Sequence, residues 1–312
     1  MTETALIALD WGTSSARAYR VDGHGAVIDE RSAALGVQQV RDGAFGAALA
    51  ALLGDWSTID APRIGCGMIG SRQGWIEAPY LACPADLDAL ASAIAWAPER
   101  ALAIVPGVIC RGDDGIPDVM RGEETQILGA LGAGQRRALA VLPGTHSKWA
   151  SFEDGRILDF ATYMTGELHA VLLGHSILGR MAQAPGAAGD APGAAFDRGL
   201  ARGLGSGGLA HDIFGARTLA LAGELASGDV ADWLSGLLIG REIRDARTWA
   251  AHRRCDAGPV TVIGSDALTA RYARALAQAG IAAERAPAGA AVRGLWAIAS
   301  QAGLLSAGRT RS

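Results

Sequence analysis

Two short runs carry the residue types that phosphate chemistry needs. Asp10-Trp11-Gly12-Thr13-Ser14-Ser15 follows one stretch of small apolar residues, and Pro143-Gly144-Thr145-His146-Ser147-Lys148-Trp149 follows another, Ala138-Leu139-Ala140-Val141-Leu142. A shift of 132 positions superposes Gly12 on Gly144, Thr13 on Thr145, Ser15 on Ser147, Ala18 on Ala150, Asp22 on Asp154 and Gly23 on Gly155. Each copy reads as strand, Gly-Thr turn, strand, Asp-Gly turn, strand. Glycine there lets the backbone bend tightly and present N–H groups, while Thr and Ser add hydroxyl donors. The pair suits a phosphate chain held between two facing hairpins. Two unrelated structural hairpins would also fit the spacing.

Lys148 is the single lysine of the chain and sits inside the second turn, where an ammonium could reach a phosphate or a carboxylate, or simply lie solvated. Its surroundings match neither a Walker A loop nor a protein-kinase strand lysine, which excludes both classes. A third phosphate-compatible element is Gly258-Pro259-Val260-Thr261-Val262-Ile263-Gly264-Ser265-Asp266. It reads as a buried strand, a close turn at Gly264 and a helix capped by Ser265 or Asp266, whose N-terminus favours negative charge. Many α/β proteins carry such a turn without a ligand.

Other signals fail. Gly203-Leu204-Gly205-Ser206-Gly207-Gly208 matches a dinucleotide fingerprint, but a helical pattern rather than a strand precedes it, so it reads as a glycine-rich loop. His169 and His175 follow Glu167 without metal-ligand spacing, and no Gly-x-Ser-x-Gly elbow supports a serine hydrolase. Cys66, Cys83, Cys110 and Cys255 are scattered and read as reduced thiols. The net charge of -4 offers no global attraction to nucleic acid or anionic membrane, leaving only a local basic pocket for an anionic substrate. No apolar run is long enough to span a membrane and Met1-Thr2-Glu3-Thr4 lacks signal-peptide features, so a cytoplasmic protein is expected.

The elements that must position these residues alternate. Strands are predicted at 5–9, 16–21, 26–31, 63–67 and 102–105, with helices at 43–53, 85–95 and after Arg121-Gly122. A second series of strands at 138–142, 149–153 and 157–161 gives way to a helical half. With 312 residues, half of them hydrophobic, the chain can fill more than one core. Gly132-Ala133-Gly134-Gln135 marks the expected junction, dividing residues 1–134 from 135–312, with room for the last helix to pack back on the first domain. Residues 182–193, rich in Ala, Gly and Pro, read as a mobile loop.

Taken together, the chain resembles the sugar kinase, actin and Hsp70 superfamily, and within it the 2-dehydro-3-deoxygalactonokinase family. The runs that carry the resemblance are Asp10-Trp11-Gly12-Thr13, Gly67-Met68-Ile69-Gly70-Ser71 with Gly74-Trp75, Ala78-Pro79-Tyr80, Met120-Arg121-Gly122-Glu123-Glu124-Thr125-Gln126, Pro143-Gly144-Thr145-His146 with Lys148-Trp149, Met164-Thr165-Gly166-Glu167-Leu168, Trp233-Leu234-Ser235-Gly236 and Leu268-Thr269-Ala270-Arg271-Tyr272. Trp233 stands where such sequences usually carry Phe. The resemblance implies an α/β protein of two duplicated ribonuclease H-like domains with an interdomain cleft: an N-terminal sugar-acid and phosphate domain and a C-terminal nucleotide domain.

It further implies phosphorylation of the 6-hydroxyl of 2-dehydro-3-deoxy-D-galactonate by ATP with Mg²⁺. On that footing Asp10 is expected in the magnesium shell, Gly12, Thr13 and Ser14 on one side of the phosphates, and Gly144, Thr145, Lys148, Gly264 and Ser265 on the other. Related members place a carboxylate two residues after a glycine equivalent to Gly122, which points to Glu124 as general base, with Glu123 close behind. An acidic first turn complementing the helix dipole would look the same. Arg121, Arg72, Ser71 and Trp75 are the candidates for the sugar acid, although Trp11, Trp75 and Trp149 serve equally as core packing. A phosphoanhydride hydrolase of the same superfamily and a non-catalytic sugar-acid sensor are the alternatives. The sensor is disfavoured because the first strand begins near residue 5, without room for a DNA-binding segment. Nucleic acid and membrane are not expected partners, and the sequence leaves the oligomeric state open, a homodimer included.

Overall fold

The computed structural model describes residues 3–132, 134–182, 193–255 and 258–305. It resolves into two compact units, one made of Met1–Arg136, Phe152–Asp159 and Pro287–Ser312, the other of Arg137–Ser151 and Phe160–Ala286. The expected mobile loop at 182–193 lies outside the described residues, except for its two ends.

The first unit opens with β1 (Leu6–Trp11), β2 (Ala16–Val21) and β3 (Val27–Ala33), an antiparallel meander that sets Asp10 opposite Arg17. Leu6 through Leu9 are all buried, the mark of a central strand covered on both faces. Next come α1 (Phe45–Leu53), which buries Phe45, Leu49, Leu52 and Leu53, and β4 (Arg63–Cys66), which lies parallel to β1 and brings Cys66 beside Asp10. The chain continues through β5 (Tyr80–Ala82) and β6 (Ala85–Asp86) to α2 (Leu87–Ser92), capped by Asp86 accepting the Ala89 N–H at 2.9 Å. That helix is shorter than predicted because Ala95 and Trp96 form β7 (Ala95–Trp96) and pair with β8 (Ala103–Ile104). The sheet order is β3-β2-β1-β4-β8-β7. β9 (Gly107–Arg111) and β10 (Pro117–Met120) join β5 in a separate sheet and deliver the chain to α3 (Glu123–Leu131).

The second hairpin-led sheet uses β11 (Arg137–Leu142), β12 (Ser147–Glu153) and β13 (Arg156–Tyr163), followed by α4 (Thr165–His175), α5 (Ala194–Leu204), α6 (Leu209–Leu221) and α7 (Val230–His252). β14 (Val260–Val262), α8 (Asp266–Gln278) and β15 (Ala283–Arg285) follow, with β14 parallel to both β11 and β15, and β6 pairs antiparallel with β13 at the other edge. The order β13-β12-β11-β14-β15 repeats β3-β2-β1-β4-β8, so the 132-residue repeat is a repeat of topology.

The last helix, α9 (Ala290–Gln301), belongs to the first unit and packs on α3. The approach is backbone to backbone: a Cβ on Gly129 or Gly294 would lie 1.9 Å from the facing carbonyl, of Ala290 and Thr125 respectively. The Trp233-Leu234-Ser235-Gly236 run serves the same purpose in the second unit, where Gly236 meets the Phe196 carbonyl of α5. Gly203 likewise lies inside α5, consistent with rejecting the dinucleotide fingerprint there. No helix among the described residues is long and apolar enough to cross a membrane.

Candidate active site

In the first unit, three acidic residues gather where β1, β4 and α3 meet. Gly122 at the start of α3 has φ +105°, and a Cβ there would stand 3.0 Å from Cα of Gly67, which itself has φ +90° after β4. Two residues without side chains therefore let the helix start touch the end of the strand. Gly67 also lies against Asp10, and the thiol of Cys66 is pushed up by burial and then by the charges of Asp10 and Glu124, with Thr125 hydrogen-bonded to it. Cys66 is thus the floor between the two carboxylates, a role that no spacing pattern in the sequence signals.

Glu124 is fully buried. Its carboxylate accepts the Gly122 N–H at 2.6 Å and the Thr125 hydroxyl at 2.9 Å. Burial, and next the charge of Glu123, push its pKa up to about 7, where a carboxylate can exchange protons near neutral pH. Glu123 is less covered and accepts the Arg121 N–H at 3.0 Å. Asp10 is also held above the usual carboxylate range by burial, opposed by Arg17.

The four sugar-acid candidates differ in environment. Arg121 is buried, donates from Nη2 to the Ala78 carbonyl at 2.8 Å and lies over the Tyr80 ring at 4.2 Å. Its Nε and Nη1 are buried with no protein partner, two cationic donors of the kind a carboxylate satisfies. Arg72 has an 87% exposed side chain and faces Glu77 at 3.7 Å, while the Ser71 hydroxyl is engaged by the Met68 carbonyl at 2.8 Å. Trp75 stacks on Phe45 with ring centroids 6.3 Å apart and packs against the core, and Trp11 is wholly buried in it.

Each Gly-Thr turn is tied down through its carbonyls. Val37 and Gln38 donate to Gly12 and Thr13, and Glu167 at the start of α4 donates to Thr145 at 2.9 Å. Among the described residues the N–H groups of Thr13, Ser14, Thr145 and His146 have no protein acceptor, and these four residues are exposed. Both turns thus keep exposed residues with N–H donors that no protein acceptor takes, as phosphate binding demands. Gly166 fits against the second turn so closely that a Cβ would stand 2.4 Å from the Gly144 carbonyl, and the His146 ring meets Glu167. Gly264 and Ser265 are exposed at the end of β14. Ser265 occupies the N-cap of α8, but its side chain makes no capping bond, contrary to the capping expected from sequence.

Lys148 is buried, not solvated, and donates to the Thr162 hydroxyl at 2.7 Å. Trp149 is buried too, and it leads to a residue that sequence reading missed, Glu242 of α7. The Glu242 carboxylate accepts from Ser147 Oγ at 2.7 Å, Trp149 Nε1 at 2.8 Å, Tyr272 Oη at 2.7 Å and the Thr165 hydroxyl. Burial raises its pKa and the four donors oppose that rise. Nothing in the Gly240-Arg241-Glu242 text marks it, because its partners come from elements distant in sequence. No group of three His, Cys, Asp or Glu residues suited to a metal ion exists among the described residues.

A family model described as 2-keto-3-deoxy-galactonokinase matches residues 10–298. The chain is 37% identical over 269 residues to 2-dehydro-3-deoxygalactonokinase of Escherichia coli (strain K12), covering 86% of this chain and 88% of that one. It is 39% identical over 310 residues to a protein assigned as the same kinase in Rhizobium meliloti (strain 1021), covering 93% and 97%. A crystal structure from Sinorhizobium meliloti of a protein assigned that activity superposes with a TM-score of 0.83 at 38% identity, over 94% of this chain and 98% of that one.

Proposed function

Since the chain belongs to the 2-keto-3-deoxy-galactonokinase family, we propose that it transfers the γ-phosphoryl group of ATP to the 6-hydroxyl of 2-dehydro-3-deoxy-D-galactonate. The products are the 6-phosphate and ADP. The oxygen of the hydroxyl forms the new bond to γ-phosphorus, the bond from γ-phosphorus to the bridging oxygen breaks, and the hydroxyl proton passes to a carboxylate. Glu124 takes that proton. The observation that carries this reading is a buried carboxylate at the start of α3 with its pKa pushed up to about 7, which shares Cys66 as a neighbour with the half-buried carboxylate of Asp10 near the end of β1.

The residues fit an ion carried in by the nucleotide. Mg²⁺ bound to phosphates asks the protein for one or two carboxylates and fills the rest of its shell with water and phosphate oxygens. Asp10, a half-buried carboxylate near the end of β1, matches that demand, and among the described residues no group of three His, Cys, Asp or Glu forms a dedicated metal cage. The ion would neutralise charge on the phosphates. Thr13, Ser14 and Thr145 offer N–H donors to phosphate oxygens, and the exposed Gly264–Ser265 turn lets a nucleotide approach the start of α8. Lys148 gives one of its three N–H donors to Thr162.

Arg121 is proposed to pair with the carboxylate of the sugar acid through its two unpartnered nitrogens. Ser71, Arg72 and Trp75 are assigned to the outer part of that pocket. ATP-requiring catabolism of a sugar acid suits a cytoplasmic enzyme. The test is ADP formation in a coupled assay, with and without acceptor, across a panel of 2-keto-3-deoxy sugar acids. Turnover should require an acceptor and be fastest with the galactonate-derived acid. Equal ATP turnover without any sugar acid would turn the reading into a hydrolase.

A further inference from the structure

Glu242 has no part in the transfer just described, yet it gathers more donors than any other carboxylate described above. Each oxygen takes two: Ser147 and Trp149 on Oε1, Thr165 and Tyr272 on Oε2. The donors come from three different elements. Ser147 and Trp149 open β12, directly after the Pro143–His146 turn. Thr165 begins α4, whose next residues hold that turn through Gly166 against Gly144 and the Glu167 N–H on the Thr145 carbonyl. Tyr272 stands on α8, the helix that starts beside Gly264 and Ser265.

We propose that Glu242 is the positioning residue of the nucleotide half, one buried carboxylate that fixes the Gly144–Thr145 turn from both flanks and sets the start of α8 to it. This rests on the kinase reading above. A turn that presents N–H groups to phosphate works only if its donors are held before the ligand arrives, because ordering a loop on binding subtracts from affinity. Glu242 supplies that order from the protein interior, without touching the ligand.

The chemistry also says which substitutions break the device. Trp149 Nε1 can only donate, so a Gln at 242 must turn its carbonyl toward Trp149 and Ser147. Its amide then donates to Thr165 and Tyr272, whose hydroxyls can rotate to accept. Glu242→Gln should therefore keep the ATP KM within about threefold of wild type, whereas Glu242→Leu should not. Thr165→Val preserves volume and removes the α4 hydroxyl, which also touches Tyr272, and Tyr272→Phe removes the α8 hydroxyl, which also reaches Ser147 Oγ at 3.4 Å.

The experiment is steady-state kinetics in both substrates for Thr165→Val, Tyr272→Phe and Glu242→Gln, with thermal melts of each. Expected for Thr165→Val and Tyr272→Phe is a rise of about tenfold in the ATP KM, the scale of one hydrogen bond to a buried charge. The sugar-acid KM should stay within about twofold. A lowered melting temperature with an unchanged ATP KM in both variants would reduce Glu242 to a stabilising residue and overturn the proposal. Wild-type protein that neither binds nor turns over MgATP in calorimetry and assay would overturn the kinase reading and this proposal together, a result separate from any behaviour of the variants.

Discussion

Glu124 and Glu123 are neighbours with different physics. Glu124 is wholly buried with a pKa of about 7; Glu123 is partly exposed and caps the Arg121 N–H. Glu124→Gln should lower kcat by roughly a hundredfold or more, the scale of positioned acid-base catalysis, with little change in either KM. In wild type the rate should climb with pH as Glu124 ionises, with an inflection near its value of about 7, and the variant should lose that limb. Stability gives an independent check. A carboxyl whose pKa is raised on folding stabilises fully below its ordinary value near 4.5, and this contribution disappears as pH rises through about 7. Wild type should therefore lose stability relative to Glu124→Gln over that window, by up to roughly 3 kcal/mol, measurable by denaturant titration at several pH values. Should Glu123→Gln prove the more damaging in single-turnover kinetics, the exposed glutamate is the base and the buried one its support. Much of this residue scale was legible: Glu124, Asp10 and the two Gly-Thr turns stand in local motifs. Glu242 and Cys66 were not, since their roles exist only through partners brought together by folding.

At the scale of elements, the sequence pattern read correctly wherever local chemistry decides the conformation. The β1–β3 and β11–β13 hairpins follow from alternation and from Gly-Thr and Asp-Gly turns, and α3 starts at the glycine that precedes its acidic first turn. One prediction came out differently because tertiary pairing overrode the pattern: the helix at 85–95 is cut short by the β7 ladder. Ser265 takes the N-cap position of α8 without a side-chain capping bond, and nothing in the structure explains it. Gly264 and Gly129 show how differently two glycines act. A Cβ on Gly264 meets only ordinary contacts at 3.7 Å or more, so Gly264→Val should fold normally and raise the ATP KM sharply while leaving the sugar-acid KM unchanged. A Cβ on Gly129 would collide with the Ala290 carbonyl, so Gly129→Ala should push α9 from α3 and cost about 1–3 kcal/mol, seen as a lower melting temperature. An unchanged ATP KM in Gly264→Val would remove that turn from the nucleotide site.

For the whole molecule, the duplicated sheet order states the design in one observation: the same strand order is laid down twice, and each copy follows its first strand with an exposed turn carrying N–H groups that have no protein acceptor among the described residues. The first copy adds the carboxylates at the start of α3, and the second adds the Glu242 hub. The resemblance to the galactonokinase family read from motifs is borne out by the family match and by the relatives. Its finer content, the position phosphorylated and the group that takes the proton, is a matter for the product itself. Carbon and phosphorus NMR of the product made from MgATP and 2-dehydro-3-deoxy-D-galactonate tests the claim most directly. Phosphorus coupling to C6, with one ADP formed per phosphate ester, is the expected result. Inorganic phosphate in place of an ester, or an ester at another carbon, would contradict it.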